Sequence, residues 1–255
     1  MVSAVAQVRD LTVDIATRVG RNPPVVRALQ QVDLRVGAGR VTALIGESGC
    51  GKSLLAAALC GLLPPGSALT GHLGFAGTEL GGASEDVWRL LRGRRIGLVP
   101  QSAATSFTPV RTIGGQLAEV CRRLDADRTP AQLLAAVRLP THIAACYPHE
   151  LSGGMAQRAA VAAAIAGRPE LLIADEPTSA LDPANAGMVW RLLADAATEG
   201  AGVLVITHDL PSLLRSGVCD EIAVMRSGTV VHQGPAGEVA GYDDYTRRFF
   251  TAAQR

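Results

Sequence analysis

Residues 41–53 read VTALIGESGCGKS, and this stretch decides the fold. The short run at 41–45 ends at Gly46 and is typical of a strand buried on both faces. The next eight residues, 46–53, fit the pattern G-x-x-x-x-G-K-[ST]. The following run, KSLLAAALCGLL, favours a helix that stops at residues 64–66, Pro-Pro-Gly. A strand, a glycine-rich loop and a helix in this order predict a phosphate-binding loop.

The spacing within this loop has a chemical reason. Its glycines let the backbone turn so that consecutive N–H groups face phosphate oxygens, and the helix that follows adds its positive N-terminal end. We expect Lys52 to reach the β- and γ-phosphates of a nucleotide and Ser53 to offer its hydroxyl to Mg²⁺. The loop residues predicted to bind the nucleotide are Gly46, Glu47, Ser48, Gly49, Cys50, Gly51, Lys52, Ser53 and Leu54.

A second apolar run, LLIADE at residues 171–176, ends in two acids. A strand that ends in Asp175 would place a carboxylate beside the phosphates, where it can hold Mg²⁺. Glu176 follows directly and can polarise an attacking water molecule. Together with the loop, these acids predict hydrolysis of a nucleoside triphosphate.

Composition limits the remaining possibilities. The 255 residues are 48% hydrophobic and 18% charged, which excludes a disordered chain and predicts one or two domains. The net charge of +1 gives no strong field for nucleic acid. No apolar run reaches the 18 residues of a membrane span, and the N-terminus does not have the pattern of a signal peptide. The five cysteines form no CxxC pair, as expected for reduced thiols.

Short apolar runs alternate with helical patterns along the chain. Strands are predicted near 41–45, 95–99, 171–174, 203–206 and 221–225, with an edge strand at 71–77. Two strand-like runs within 5–36 are separated by a polar turn at 20–24. Helices are predicted at 113–124, 130–139 and 151–167. This alternation predicts an α/β fold with a parallel sheet.

Further motifs make the interpretation specific. The sequence YPHELSGGMAQR at 147–158 resembles the signature sequence of ABC transporters, in the form used by peptide and nickel importers. Gln101 matches the Q-loop of that family, residues 179–182 match the D-loop, and His208 matches the switch histidine. The segment 100–116 resembles the same subfamily. The resemblance covers about residues 5–250.

The resemblance implies a fold and its parts. It implies a RecA-like P-loop NTPase core with an N-terminal antiparallel β subdomain and an ABC-type α-helical subdomain, all in one domain at 1–255. The core and the β subdomain would take residues 1–101 and 168–234. The helical subdomain would take 102–167, and 235–255 would form a C-terminal tail.

The resemblance also implies roles for residues outside the loop. Ser152, Gly153 and Gly154 open a helix whose N-terminus can bind an anion, and in the family it meets the ATP held by a second ATPase chain, in a head-to-tail dimer. Gln101 would bind Mg²⁺, and His208 would orient Glu176 and water. Asp182, in the D-loop, would also belong to the nucleotide site.

The implied function is that of the ATP-binding and hydrolysing subunit of an ABC importer for small peptides or for nickel and similar metal complexes. The short C-terminal end slightly favours nickel. The expected partners are two permease subunits, a second ATPase subunit that is more often a paralogue than a copy, and, indirectly, an extracytoplasmic binding protein. The location would be the cytoplasmic face of the membrane. The alternative is a soluble ABC-type ATPase that serves a cytosolic machine, such as an accessory subunit of phosphonate breakdown.

Two features depart from the family pattern or add to it. Most members stack an aromatic residue on adenine, but no aromatic residue precedes Phe75 here, so Ile15, Val25, Val26 or Arg27 would cover the base. Cys50 lies among backbone N–H groups near Lys52, which favours a reactive thiolate. We therefore expect rapid labelling of Cys50 that ATP slows; the alternative is a side chain turned into the core.

Overall fold

The computed structural model of the chain describes residues 3–16, 24–179 and 181–241. Most of the predicted turn at 20–24 and most of the predicted tail at 235–255 lie outside these residues. So does Ala180, within the predicted D-loop. Within the described part, no helix has the length and apolar character that crossing a membrane requires.

The larger sheet has the order β10-β9-β3-β8-β7-β6. Its strands are parallel except for β10, which pairs antiparallel with β9. Every residue of β3 and β8 is buried, as expected where helices cover both faces of a parallel sheet. Five of these strands lie where the apolar runs predict them, whereas the antiparallel strand β10 was not predicted. Their bounds are Val41–Gly46 (β3), Ile96–Val99 (β6), Leu171–Asp175 (β7), Gly202–Ile206 (β8), Glu221–Arg226 (β9) and Thr229–Pro235 (β10).

The smaller sheet is antiparallel and has the order β2-β1-β4-β5. Its strands are Ala4–Ala16 (β1), Val25–Gly37 (β2), Ser67–Phe75 (β4) and Thr78–Glu79 (β5). The predicted edge strand at 71–77 is wrong in two respects, because β4 begins at Ser67 and lies between β1 and β5. Residues 67–72 are too polar and exposed to show the apolar pattern of a strand, yet their backbone pairs with β1.

Eight α-helices connect or flank the strands in the described residues. They are Lys52–Leu59 (α1), Glu85–Leu91 (α2), Ala103–Ser106 (α3), Ile113–Leu124 (α4), Pro130–Ala136 (α5), Gly153–Ala164 (α6), Pro183–Thr198 (α7) and Leu210–Ser216 (α8). Short 3₁₀ turns occupy Thr141–Ala145, Pro148–Glu150 and Ala236–Gly241. Helix α1 is shorter than predicted because Gly61 has a φ of +62° and packs against the ring of Trp88, 2.2 Å from where a Cβ would lie.

Two apolar clusters lie on opposite sides of the larger sheet. One contains Ile45 and Trp190 and extends into α4–α6. The other contains Leu44 and Leu29 and joins the two sheets. Adjacent residues of β3 thus point into different clusters, as the alternation of side chains along a strand requires. Strand β3 is therefore held from both sides, and the loop that follows it starts from a fixed position.

Candidate functional site

A cavity of about 730 Å³ lies beyond the carboxyl end of β3. It is lined by the glycine-rich loop, by residues of β1 and β2, and by side chains that follow β6, β7 and β8. This is the edge at which open α/β sheets bind ligands. The predicted site residues that line the cavity are Gly46, Ser48, Gly49, Gly51, Lys52, Ser53, Leu54, Gln101, Glu176 and His208.

The shape of the loop depends on close contacts behind it. Gly51 has a φ of +108°, and a Cβ there would lie 2.7 Å from Leu29 Cδ2. A larger residue is therefore disfavoured both by the backbone conformation and by the steric contact. The N–H of Gly228 donates to the carbonyl of Cys50 at 3.0 Å, and Ser227 and Gly228 also line the cavity. This supporting turn between β9 and β10 was not predicted from the sequence. The Ser-Gly pair, a common turn dipeptide, was the available signal.

Lys52 is fixed by the loop that contains it. Its Nζ donates to the carbonyl oxygens of Gly46 and Glu47, both at 2.9 Å, and the side chain is only 9% exposed. An ammonium group has three N–H donors, and the third makes only a long contact of 3.9 Å with Sγ of Cys50. A buried cation whose third donor has only this weak sulfur partner is suited to binding phosphate.

The side chain of Cys50 points away from the cavity. It is 7% exposed, packs in the same apolar cluster as Leu29 and Met225, and has its Sγ 3.9 Å from Nζ of Lys52. The expectation of an accessible thiol that ATP protects is therefore corrected in favour of the alternative. The cause is the turn of the loop, which directs this side chain towards the core and the backbone towards the ligand.

The residues predicted to hold Mg²⁺ suit that ion chemically. Asp175, at the end of β7, has a buried Oδ1 with no hydrogen-bond partner among the described residues. Ser53 and Gln101 line the cavity and offer a hydroxyl and a carboxamide oxygen. Mg²⁺ prefers oxygen ligands. A buried carboxylate oxygen without a hydrogen-bond partner lowers the stability of the fold unless a cation or a water molecule binds it.

Glu176 and His208 form a direct pair beside the loop. The Nδ1 of His208 lies 2.8 Å from Oε2 of Glu176, which also accepts from the backbone N–H of His208 at 3.3 Å. Glu176 is largely buried, whereas the imidazole is 67% exposed. A carboxylate held in this way can polarise water, and the remaining imidazole nitrogen is available to a ligand.

The backbone of Glu176 is also unusual, because its φ of +47° is rare for a residue with a side chain. Its N–H donates to the carbonyl of Ile206 at 2.8 Å, which extends the pairing of β7 with β8 by one residue. The left-handed conformation then turns the chain after the strand. Strained positions of this kind concentrate at functional sites.

The signature residues lie outside this cavity. Ser152 and Gly153 are exposed at the N-terminus of α6, where Oγ of Ser152 accepts from the N–H of Met155 at 3.3 Å. Gly154 is buried. Asp182 is the N-cap residue of α7, and its Oδ1 accepts hydrogen bonds from the N–H groups of Ala184 and Asn185, both at 3.0 Å. The cavity of one chain thus brings together the loop, Gln101, Glu176 and His208, but not residues 152–154 or Asp182.

The fold and this cavity define a P-loop nucleoside triphosphatase. The family model for ABC transporters matches residues 29–179. The chain therefore belongs to the ABC transporter family, and it is an ATP-binding and ATP-hydrolysing cassette. The resemblance on which the sequence analysis relied is confirmed, and so is the predicted fold class.

Curated relatives and solved structures agree with this assignment. The chain is 40% identical to the probable peptide ABC transporter ATP-binding protein y4tR of Sinorhizobium fredii, covering 86% of this chain and 68% of the relative. It is 38% identical to the probable D,D-dipeptide transport ATP-binding protein DdpD of Escherichia coli (84% and 68%). The oligopeptide transport ATP-binding protein OppD of Mycobacterium bovis is 39% identical over 96% of this chain, which spans only 40% of that relative. The dimeric structure of the ABC transporter cassette MJ0796 has a TM-score of 0.73 and 26% identity, covering 90% of this chain and 98% of that one.

Proposed function

We propose that this chain is the ATPase subunit of an ABC importer that takes up small peptides. The observation that carries the proposal is the cavity in which Lys52, Gln101, Glu176 and His208 meet. Peptides are favoured as the substrate because the relatives named above carry peptide transport in their names, at 38–40% identity. None of those names supports the slight preference for nickel.

In the proposed reaction, Lys52 and the loop N–H groups bind the β- and γ-phosphates of ATP. Ser53, Gln101 and Asp175 are the residues that would hold Mg²⁺, which neutralises phosphate charge when bound. Glu176 accepts a proton from the attacking water, and His208 keeps the carboxylate in place through the contact at 2.8 Å. Glu176 and His208 are thus the proposed catalytic residues.

The exposed N-terminus of α6 suggests how two ATPase chains would cooperate. Because Ser152 and Gly153 lie outside the cavity, they are free to meet ATP bound to a second chain. Asp182, at the N-terminus of α7, lies close to them through its contact with Asn185. ATP would then join the two subunits, and loss of the γ-phosphate would release them. We propose a paralogous second ATPase, two membrane permeases docked on the helical part at 102–150, an extracytoplasmic binding protein, and a position at the cytoplasmic face of the membrane.

Uptake measurements test the proposed substrate. Cells that lack this chain should lose import of a labelled di- or tripeptide and keep normal import of ⁶³Ni²⁺. Expression of the wild-type chain should restore peptide uptake, and expression of Glu176→Gln should not. Undiminished peptide import, or a loss confined to nickel, would contradict the proposal.

Base recognition should be weak, because aliphatic side chains occupy the far end of the cavity. Ile15 and Val26 are cross-strand neighbours there, and Arg27 is fixed by Asp14, with Nε–Oδ1 at 2.9 Å and Nη2–Oδ2 at 3.2 Å. That bond holds the pKa of Asp14 below its usual range, so the pair stays ionised at neutral pH. Of the four residues predicted to cover the base, Ile15, Val26 and Arg27 line the cavity and Val25 does not.

We therefore expect KM values for ATP and GTP that differ by less than about tenfold. A stacked ring contributes roughly 1–3 kcal/mol for a base, so Ile15→Tyr should lower the KM for ATP at least about fivefold. Steady-state ATPase and GTPase assays measure both quantities. A hundredfold preference of the wild-type chain for ATP would show that another residue recognises adenine.

A further inference from the structure

The first turns of α6 and α7 pack against each other at Gly154 and Asn185. Gly154, in the first turn of α6, is buried although its neighbours Ser152 and Gly153 are exposed. A Cβ on Gly154 would lie 2.6 Å from Cγ and 2.7 Å from Oδ1 of Asn185, in the first turn of α7. Real Cβ atoms do not approach other atoms so closely. The carboxamide of Asn185 therefore occupies the space that any side chain at 154 would need.

Asn185 is held in this position by Asp182. Its Nδ2 donates to Oδ2 of Asp182 at 2.6 Å, and its backbone N–H donates to Oδ1 of the same carboxylate at 3.0 Å. These bonds keep the pKa of Asp182 below its ordinary value, so the acceptor remains ionised at neutral pH. With both bonds made, the carboxamide has one orientation, and swinging it away to admit a larger residue at 154 would break the bond between Nδ2 and Oδ2 of Asp182.

Gly154 is tied on its other side as well. Its carbonyl accepts from Nε of Arg158 at 3.3 Å, and the same guanidinium donates to the carbonyl of Arg138 at 2.8 Å. The start of α6 thus lies between Arg158, which links it to the end of the α5 region, and Asn185, which links it to α7. Helix α6 belongs to the helical segment 102–167, whereas α7 connects two strands of the larger sheet. The contact therefore joins the two parts.

We propose that Asn185 is a positioning residue that, clamped by Asp182, sets the place of Gly154 and hence of the signature residues relative to α7. Glycine is required at 154 because Asn185 occupies the adjacent space. The inference rests on the proposed role of residues 152–154 in binding ATP across two chains. It adds that the carboxamide of Asn185 couples the position of Asp182, in the D-loop, to the position of Gly154, at the start of α6.

A double-mutant cycle in the full chain tests the packing. Gly154→Ala should lower Tm by about 3–10 °C, as expected for overpacking. In an Asn185→Ala background the same substitution should lower Tm by at most about half as much, because the carboxamide is gone and only the Cβ of residue 185 remains, 3.1 Å away, which a shift of a few tenths of an ångström clears. Gly187→Ala, also in α7, is the matched control; its Cβ would meet no atom nearer than 3.9 Å, so it should leave Tm unchanged or raise it.

The functional arm of the cycle uses the assembled transporter. Gly154→Ala should reduce kcat for ATP at least about tenfold while KM changes less than about threefold, since Lys52 and the loop that line the ATP cavity are untouched. Asn185→Ala alone should lower kcat about threefold, because the clamp is lost. Adding it to Gly154→Ala should raise kcat to that same value, because the clash at 154 is relieved. Because a smaller folded fraction lowers the apparent kcat without changing KM, kcat is expressed per folded transporter at a temperature well below the Tm of every variant. A merely structural defect would then leave kcat unchanged.

Each result decides between the alternatives. An equal Tm loss from Gly154→Ala in both backgrounds would overturn the assigned contact. Suppression of the Tm loss without rescue of kcat would overturn the positioning role of Asn185. If the wild-type transporter shows no ATP-dependent coupling at all, the proposed function fails, and the Tm cycle still decides whether Asn185 excludes a side chain at 154.

Discussion

Glu176→Gln should slow ATP hydrolysis by about 10²–10⁴-fold, the usual contribution of a general base. The amide has the same shape and still reaches the imidazole of His208, so the contact at 2.8 Å can persist. What is lost is the negative oxygen that accepts a proton from water. We expect the affinity for ATP to change less than threefold, since Lys52 and the loop N–H groups are untouched, and the ATP-bound dimer should accumulate.

Single-turnover hydrolysis in the assembled transporter measures this effect, with nucleotide binding measured on the same preparation. Glu199→Gln is a suitable control because Glu199 is exposed at the end of α7, where its carboxylate pairs with Arg128 at 3.3 Å. The control should hydrolyse ATP at the wild-type rate. Wild-type hydrolysis by Glu176→Gln would show that another group activates the water.

Lys52→Ala should weaken ATP binding by about 100-fold or more. The substitution removes the cation that the carbonyls of Gly46 and Glu47 hold at the cavity, and hydrogen bonds to charged groups contribute roughly 1.5–3 kcal/mol each. Equilibrium titration with a fluorescent ATP analogue measures the loss. Arg40→Ala, which removes an exposed cation paired with Asp220, should leave the affinity unchanged.

A second readout comes from the composition of the chain. Lys52 is the only lysine in the 255-residue sequence, so a lysine adduct found by mass spectrometry after amine acylation identifies this side chain. MgATP should slow the acylation if the ammonium group contacts phosphate. Unchanged ATP affinity of Lys52→Ala, together with acylation that MgATP does not affect, would mean that the loop does not bind the nucleotide.

The sequence was sufficient to predict the elements that surround the phosphates. Strands β3, β7 and β8 are continuous apolar runs because both faces are buried. The ends of two of these runs are recognisable from the residue type, since Gly46 opens the phosphate-binding pattern and Asp175 is a carboxylate. Glu176 and His208 could be paired in advance through the family resemblance. Strand β4 could not be bounded correctly, since backbone pairing with β1 requires no apolar pattern in residues 67–72.

Side-chain direction was the main feature that local patterns could not give. Cys50 has the neighbours expected to activate a thiol, yet the turn of the loop directs its Sγ into the core. Likewise, nothing in the segment at 182–193 indicates that Asn185 packs on Gly154, 31 positions earlier. Both facts depend on how distant segments are brought together, and a sequence pattern describes only the residues within one segment.

The strand order of the larger sheet has a consequence for biosynthesis. Strand β3, which carries the phosphate-binding loop, is flanked by β8 and β9, so it has neither neighbour until residue 206 has been made and lacks β9 until residue 226. At 5–20 residues per second, ribosomes need about 10–40 s to extend the chain from β3 to residue 226. For most of this time the apolar residues of β3 have no neighbouring strand in the sheet, which is the condition under which chains aggregate or bind chaperones. Truncation before β9 should thus leave a nascent chain without a formed ATP site, however complete its motifs are.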